Sequence, residues 1–338
     1  MKKNLMNFLF VFMVLLISIY ILFSSKDITQ LKDILDKSNK VYILLSLLSM
    51  IIFWILDGQI LFNVIKMMGI EFRYIYAIKT IFVGQYFMSI TPFSSGGPPA
   101  LIYSLKKHGV KVWDGSIIIL VKYIINEIAL GIFIVIGYMY NKNILDSELK
   151  YIKPFILFGI VVSIIIGFFI LINFLNTEFT ERLIKYLLSF MKKIGLSKKK
   201  KMISKIEHTV EEYKISVEKI KNTRKIVIKI VILNILKLLI YYNITYLVFR
   251  TFGDFDIKVK NIITLQPLLE IAIAYIPIPG KSGAAEAGFY LMFQGIFSSE
   301  KLIYGVILWR VVTYYSRIIV GGLITLIDKI YIKEQKRI

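Results

Sequence analysis

The sequence predicts an all-α polytopic membrane protein with about six full spans and two broken, re-entrant hairpins. Hydrophobic residues make up 57% of the chain and the mean hydropathy is +0.70, well above the values of soluble domains. Two apolar stretches are interrupted by Pro and Gly, ITPFSSGGPPAL at 90–101 and YIPIPGKSGAAEAG at 275–288. Because unpaired backbone groups are costly in lipid, such breaks are tolerated only where protein covers them or where they line a wet cavity. The breaks occupy comparable places in the two halves, which predicts an inverted repeat.

The full spans are placed where about 20 apolar residues follow one another, the number needed to cross a bilayer. They lie at about 5–23, 41–64, 116–140, 154–175, 226–249 and 302–327. The first follows Lys2 and Lys3 and has no small-x-small cleavage site after it, so we expect a retained anchor rather than a signal peptide.

These spans divide a single integral membrane domain, 1–338, into five parts. We expect an N-terminal anchor and loop at 1–40, a first repeat at 41–140 with a broken hairpin at 74–105, a linking span at 154–175, a basic cytoplasmic segment at 177–225, and a second repeat at 226–327 with a broken hairpin at 261–297. Two thin full spans in place of each hairpin remain an alternative.

The chain has a net charge of +21, and the distribution of its Lys and Arg residues tests this arrangement. Most Lys and Arg residues fall on segments that it places in the cytoplasm, together with both termini, as expected for a multi-pass protein of the cell membrane. The segment 177–225 combines the run Lys198–Lys201 with apolar residues at helical spacing, which predicts an amphipathic helix on anionic lipid headgroups. Membrane lipids are therefore the expected partners, a homo-oligomer stays open, and nucleic acid is not expected because no aromatic residues alternate with the lysines.

Polar residues inside the apolar segments mark a candidate substrate site, because an ion in lipid is costly unless it is paired or faces water. The candidate substrate-binding residues are Asp57, Lys122, Glu127, Glu270, Glu286, Arg310, Tyr314 and Arg317. The broken-helix backbone adds Thr91, Pro92, Ser94, Ser95, Gly96, Gly97, Pro277, Pro279, Gly280, Ser282 and Gly283. Half-helix N-termini and the two arginines favour a phosphate or carboxylate, and the carboxylates can receive an ammonium or carry a proton. Buried ion pairs that merely hold helices together are the alternative for each residue.

The chain lacks the residues that several kinds of catalysis need. The chain has no Cys, no HExxH and no DxD motif, and both His residues lie in basic loops outside the spans. We therefore expect no catalytic residues, no metal and no cofactor, and hence no enzyme.

Three segments resemble a known family: 84–109 (GQYFMSITPFSSGGPPALIYSLKKHG), 277–289 (PIPGKSGAAEAGF) and the Arg-bearing last span from Leu302. They are similar to the lysylphosphatidylglycerol synthase transmembrane family, also described as flippase-like, whose best-known members are the membrane halves of the multiple peptide resistance factors. The resemblance covers nearly the whole chain and implies the translocating half without an aminoacyl transferase domain, since only 328–338 follows the last span. By motif it carries over Pro92, Gly96, Gly97, Pro277, Pro279, Gly280, Gly283, Glu286 and Arg310.

The function expected from the residues and from the resemblance is lipid translocation. A phospholipid would move between leaflets, and aminoacylated and polyprenyl-phosphate-linked lipids are among the candidates. A secondary transporter of a small soluble zwitterion or anion and an intramembrane lipid-modifying transferase are the alternatives.

Overall fold

The computed structural model describes residues 38–175, 182, 186, 224–253 and 258–335. This part of the chain is helical and contains no β-strand, which confirms the all-α prediction. Within it four helices are long and apolar enough to cross a membrane: Lys40–Met67, Val112–Tyr140, Lys225–Thr251 and Lys301–Asp328. The predicted anchor at 5–23 and nearly all of the basic segment at 177–225 lie outside the described residues, and the total number of spans stays a prediction.

The first half alternates long helices with one broken hairpin. Its helices are α1 (Lys40–Met67), α2 (Tyr74–Ile90), α3 (Gly97–Lys107), α4 (Val112–Tyr140), the short α5 (Lys142–Ser147) and the linking helix α6 (Lys153–Leu175). Helix α1 begins where the side chain of Asn39 accepts the backbone N–H of Val41 at 3.1 Å, an N-cap contact. Between α2 and α3 the chain forms a 3₁₀ turn at Pro92–Ser94, as the Pro and Gly residues of this segment predict.

The second half has the same order of elements. It comprises α7 (Arg224–Thr251), α8 (Val259–Ala272), a 3₁₀ turn at Pro279–Lys281, α9 (Ala284–Phe293), α10 (Ser299–Arg310), a π-helical segment at Val311–Tyr315 and α11 (Ser316–Gln335). The last predicted span therefore contains a π segment directly after Arg310. Hydropathy cannot detect it, because the residues on both sides are equally apolar.

Each broken segment folds as a helical hairpin whose two outer ends come together. Tyr76, near the start of α2, stacks on His108, just after α3, with ring centroids 4.2 Å apart. Asn261, near the start of α8, and Gln294, just after α9, line one cavity together with Asn141, which follows α4. The two hairpins thus start from opposite ends of α4, whose 29 residues span about 43 Å. That each enters a bilayer and returns stays a prediction.

The hairpins meet at their breaks, where the turns Pro92–Ser94 and Pro279–Lys281 contact each other. The surrounding contacts are reciprocal between the halves: α2 packs on α11, α8 packs on α4, and the leading helices α1 and α7 pack on each other. The inversion of the two halves relative to a membrane stays a prediction.

The outer surface of this bundle is apolar. Side chains along α1 and α6, including Leu44, Ile52, Phe158, Ile164 and Phe168, are exposed. In water so extensive an apolar surface would be a binding or aggregation site, whereas lipid tails accommodate it. Polar and charged side chains are instead gathered inside, around the two breaks.

Candidate functional site

The two breaks share the backbone conformation of their first four residues and differ at the last two, where Ser95 and Gly96 are helical but Ser282 is extended and Gly283 has φ 82°. In each, an extended residue precedes proline, and two residues with left-handed φ angles follow before Ser and Gly, at 91–96 and 278–283. The left-handed pairs are Phe93 (54°) and Ser94 (56°) in the first break, and Gly280 (60°) and Lys281 (55°) in the second. Backbone hydrogen bonds from Ser95 to Pro92 (3.0 Å) and from Ser282 to Pro279 (3.4 Å) close equivalent turns. These turns make Thr91 equivalent to Ile278.

The breaks differ in charge. Gly96 donates its N–H to the hydroxyl of Thr91 at 2.9 Å. At the equivalent position, Gly283 donates to a carboxylate oxygen of Glu286 at 2.7 Å. A neutral group closes the first break and an anion closes the second, where a helix N-terminus also favours negative charge.

Arg310 joins the last span to the second break. Its side chain is 4% exposed, and Nη2 donates to the Gly280 carbonyl (3.1 Å) and to the Ser282 hydroxyl (3.3 Å). Its Nε lies 2.8 Å from Oε1 of Glu286, and the guanidinium carbon lies 4.0 Å from the ring centroid of Tyr314. The planar, forked guanidinium makes all these contacts at once, which an ammonium could not do.

A cavity of about 180 Å³, termed the central cavity, lies between the breaks and the last span. Its polar lining includes Ser94, Gln266, Glu270, Lys281, Arg310 and Arg317. Neither Lys281 nor Arg317 forms an ion pair with a described carboxylate, and Arg317 lies over the rings of Phe53 (5.5 Å) and Tyr241 (5.1 Å). Glu270 accepts a hydrogen bond from Tyr242 at 2.9 Å. Two of the three cations in this lining, Lys281 and Arg317, thus have no described carboxylate within ion-pair distance.

A second cavity of about 120 Å³, termed the lysine cavity, lies against α1, α4 and α7. There Lys122 and Lys237 approach the same oxygen of Asp57, at 2.9 and 3.2 Å. Lys237 also donates to the side-chain oxygen of Asn126 at 2.8 Å, and Gln85 donates to the other Asp57 oxygen at 3.5 Å. Met88, Tyr241, Glu270 and Arg317 line both cavities, so the two are neighbours with a shared wall.

The fold brings together most of the residues that the sequence singled out, although their role as substrate ligands stays a prediction. The central cavity is lined by Ser94, Glu270, Gly280, Arg310, Tyr314 and Arg317, Ser282 and Glu286 contact Arg310, and Asp57 and Lys122 line the lysine cavity. The remaining break residues, Thr91, Pro92, Ser95, Gly96, Gly97, Pro277, Pro279 and Gly283, shape the turns and line neither cavity. Glu127 is half-buried, without a described hydrogen bond or ion pair, within electrostatic reach of Glu270 and Lys281.

The candidate set omitted Lys237 and Gln85. Lys237 stands in the middle of an apolar span, so the signal that marked Lys122 was equally available for it. Gln85 is uncharged and left no comparable signal. Catalytic residues, metals and cofactors were not expected, and that expectation stays a prediction.

Comparison with known proteins matches residues 8–321 to the model of the lysylphosphatidylglycerol synthase TM region. The chain belongs to this family. The resemblance seen in the motifs of the two breaks and the last span is thereby confirmed.

One relative of this chain is a UPF0104 membrane protein of Archaeoglobus fulgidus, and the two sequences are 20% identical over 317 residues. These cover 90% of this chain and 92% of the relative. The chain is therefore a helical membrane protein of a lipid-related family, and the cavities between its broken hairpins are the candidate site.

Proposed function

We propose that the protein moves a phospholipid between the leaflets of the membrane. The headgroup passes through the central cavity while the acyl chains stay in the bilayer. Membership of the lysylphosphatidylglycerol synthase TM region family supports a lipid substrate. The two hairpins start from opposite ends of α4 and touch at their breaks. This arrangement supports transport, because paired broken helices form substrate sites in transporters.

The observation that carries this proposal is a pair of cations in the central cavity that no described carboxylate approaches within ion-pair distance. Lys281 and Arg317 line it without a described ion-pair partner, and burying such charges without an anion is costly. A lipid phosphate supplies that anion, and Glu270 and the Ser94 hydroxyl are placed for the polar end of the headgroup. Binding of the substrate then repays part of the cost of the empty site.

Lys281→Met is the sharpest test, because it removes a cation without leaving a described carboxylate unpaired. In vesicles carrying a fluorescent phospholipid, we expect transfer between leaflets to fall about tenfold, the cost of one charged hydrogen bond, with an unchanged melting temperature. Lys111→Met is the matched control, since Lys111 is exposed at the start of α4 and lines neither cavity.

Two results would contradict the proposal. If wild-type vesicles transfer lipid no faster than protein-free vesicles, the function is wrong. If Lys281→Met transfers lipid at the wild-type rate, the central cavity is not the route. The same preparation separates the alternatives, because a soluble-zwitterion transporter accumulates its substrate inside vesicles, and a transferase changes the mass of the lipid.

A further inference from the structure

The lysine cavity has one more cation than carboxylates in its lining, with Lys122, Lys237 and Arg317 against Asp57 and Glu270. Lys122 and Lys237, 8% and 4% exposed, share one oxygen of Asp57, and neither has a second described carboxylate within ion-pair distance. Asp57 neutralises one ammonium, so the other is in excess. A buried charge without a counter-ion is strongly unfavourable, so the excess ammonium needs an anionic partner.

The donors of these lysines are not used up by the described residues. An ammonium has three N–H donors. Lys122 reaches one described acceptor, the Asp57 carboxylate, and Lys237 reaches two, Asp57 and Asn126. The side-chain oxygen of Gln85, 7% exposed, has no described hydrogen-bond partner either. The lysine cavity thus offers free cationic donors and one free acceptor.

The size of the lysine cavity limits what can fill it. Its volume of about 120 Å³ has room for several water molecules or one small polar group. A phosphate group fits such a space. The free Gln85 oxygen can accept a hydrogen bond from a hydroxyl group of the same ligand.

The charges around both cavities give the sign of the ligand. They comprise five cations and four carboxylates: Lys122, Lys237, Lys281, Arg310 and Arg317 against Asp57, Glu127, Glu270 and Glu286. A monoanionic phosphodiester makes this set neutral. An aminoacylated headgroup with a net positive charge would increase the imbalance, so the electrostatics favour an anionic over a lysylated lipid.

We propose that Lys122 and Lys237 form a second site for a monoanionic phosphate, which receives the headgroup of the transported lipid after it leaves the central cavity. This inference rests on the proposed function. Arg317 and Tyr241 line both cavities, so a phosphate passing between them remains beside a guanidinium throughout. The protein is then a two-site carrier of anionic phospholipids.

Phosphate stoichiometry tests the second site. The full chain in detergent is titrated with inorganic phosphate and, separately, with phosphatidylglycerol, and the adducts are counted by native mass spectrometry. We expect wild type to bind a first phosphate tightly and a second more weakly, because one monoanion already neutralises the set, with Lys122→Met losing one and Lys281→Met losing the other. Lys122→Met leaves Asp57 paired with Lys237, so the fold is kept, and lipid transfer should fall about tenfold.

Lys122→Arg, which restores the charge, should recover the second phosphate, and Lys111→Met should bind two. Lys237→Met is the second variant, and there Asp57 keeps Lys122. The second site is overturned if the wild-type protein binds only one phosphate. It is also overturned if Lys122→Met and Lys237→Met both still bind two phosphates. Wild-type vesicles that transfer no lipid overturn the proposed function instead. Binding of inorganic phosphate without phosphatidylglycerol overturns the lipid as the ligand.

Discussion

At the scale of single residues, the second break depends on a small residue at Gly280. A Cβ atom built there would lie 2.2 Å from the ring and hydroxyl of Tyr314, far inside contact distance. The left-handed φ angle is not the main constraint, because Phe93 carries a side chain at the equivalent position of the first break with φ 54°. The close approach of Tyr314 is what excludes a side chain, and Tyr314 in turn lies against the Arg310 guanidinium.

Gly280→Ala should therefore displace Tyr314 and weaken the Arg310 contacts to the break. We expect a loss of stability of roughly 1–3 kcal/mol, typical of overpacking, and a slower lipid transfer. Melting temperature and transfer rate are measured together. Because the clash needs the Tyr314 ring, Gly280→Ala should cost almost no further stability in a Tyr314→Ala background, although Tyr314→Ala is itself destabilising through the cavity it leaves. A Gly280→Ala protein identical to wild type in both would show that Tyr314 is not confined.

At the scale of the helices, glycines permit backbone contacts between the halves. A Cβ at Gly137 of α4 would meet the carbonyl oxygen of Thr264 in α8 at 2.4 Å. A Cβ at Gly321 of α11 would meet the carbonyl oxygen of Phe82 in α2 at 2.8 Å. Both contacts join the first helix of a hairpin to the last span of the other half. Small residues at such crossings allow close van der Waals packing in a membrane, where no hydrophobic effect draws helices together.

Gly137→Ala should push α4 and α8 apart, because a backbone carbonyl cannot rotate away as a side chain can. We expect destabilisation of roughly 1–3 kcal/mol in thermal unfolding. The control is Gly131→Ala on the same helix, where nothing lies within 4 Å of the added Cβ and helix propensity favours Ala. Equal melting temperatures for the two variants would mean that this crossing is looser than the structure describes.

At the scale of the whole molecule, helix ends are sorted onto two sides in agreement with the predicted topology. Asn39 donates its N–H to the Thr251 carbonyl at 2.9 Å, and both ends are predicted to be external. Lys107, after the first hairpin, lies 3.4 Å from Asp328 at the end of the last span, and both are predicted to be cytoplasmic. Which side faces the cytoplasm stays a prediction from the distribution of Lys and Arg.

Single cysteines in this Cys-free chain test the orientation. With an impermeant thiol reagent on intact cells, cysteines at Lys150 and Asp254 should be labelled from outside. Cysteines at Lys198 and at the C-terminus should be labelled only after the membrane is opened. Equal labelling of positions 150 and 198 from outside would refute the arrangement.

The sequence by itself determined the class, the breaks and the stock of intramembrane charges. Hydropathy and Pro/Gly spacing are local properties, so the four described membrane-length helices and both turns, down to Pro92 and Pro279, could be placed without a structure.

The tertiary structure decided which charges meet. Lys237 approaches Asp57 across 180 residues of sequence, and Arg310 reaches a backbone carbonyl in the turn of the second break. No local pattern encodes such contacts, because they depend on how α1, α4 and α7 pack and on where two distant hairpins touch. For the same reason the sequence marked Asp57 and Lys122 as charges but not as members of one cluster with two cations and a single carboxylate.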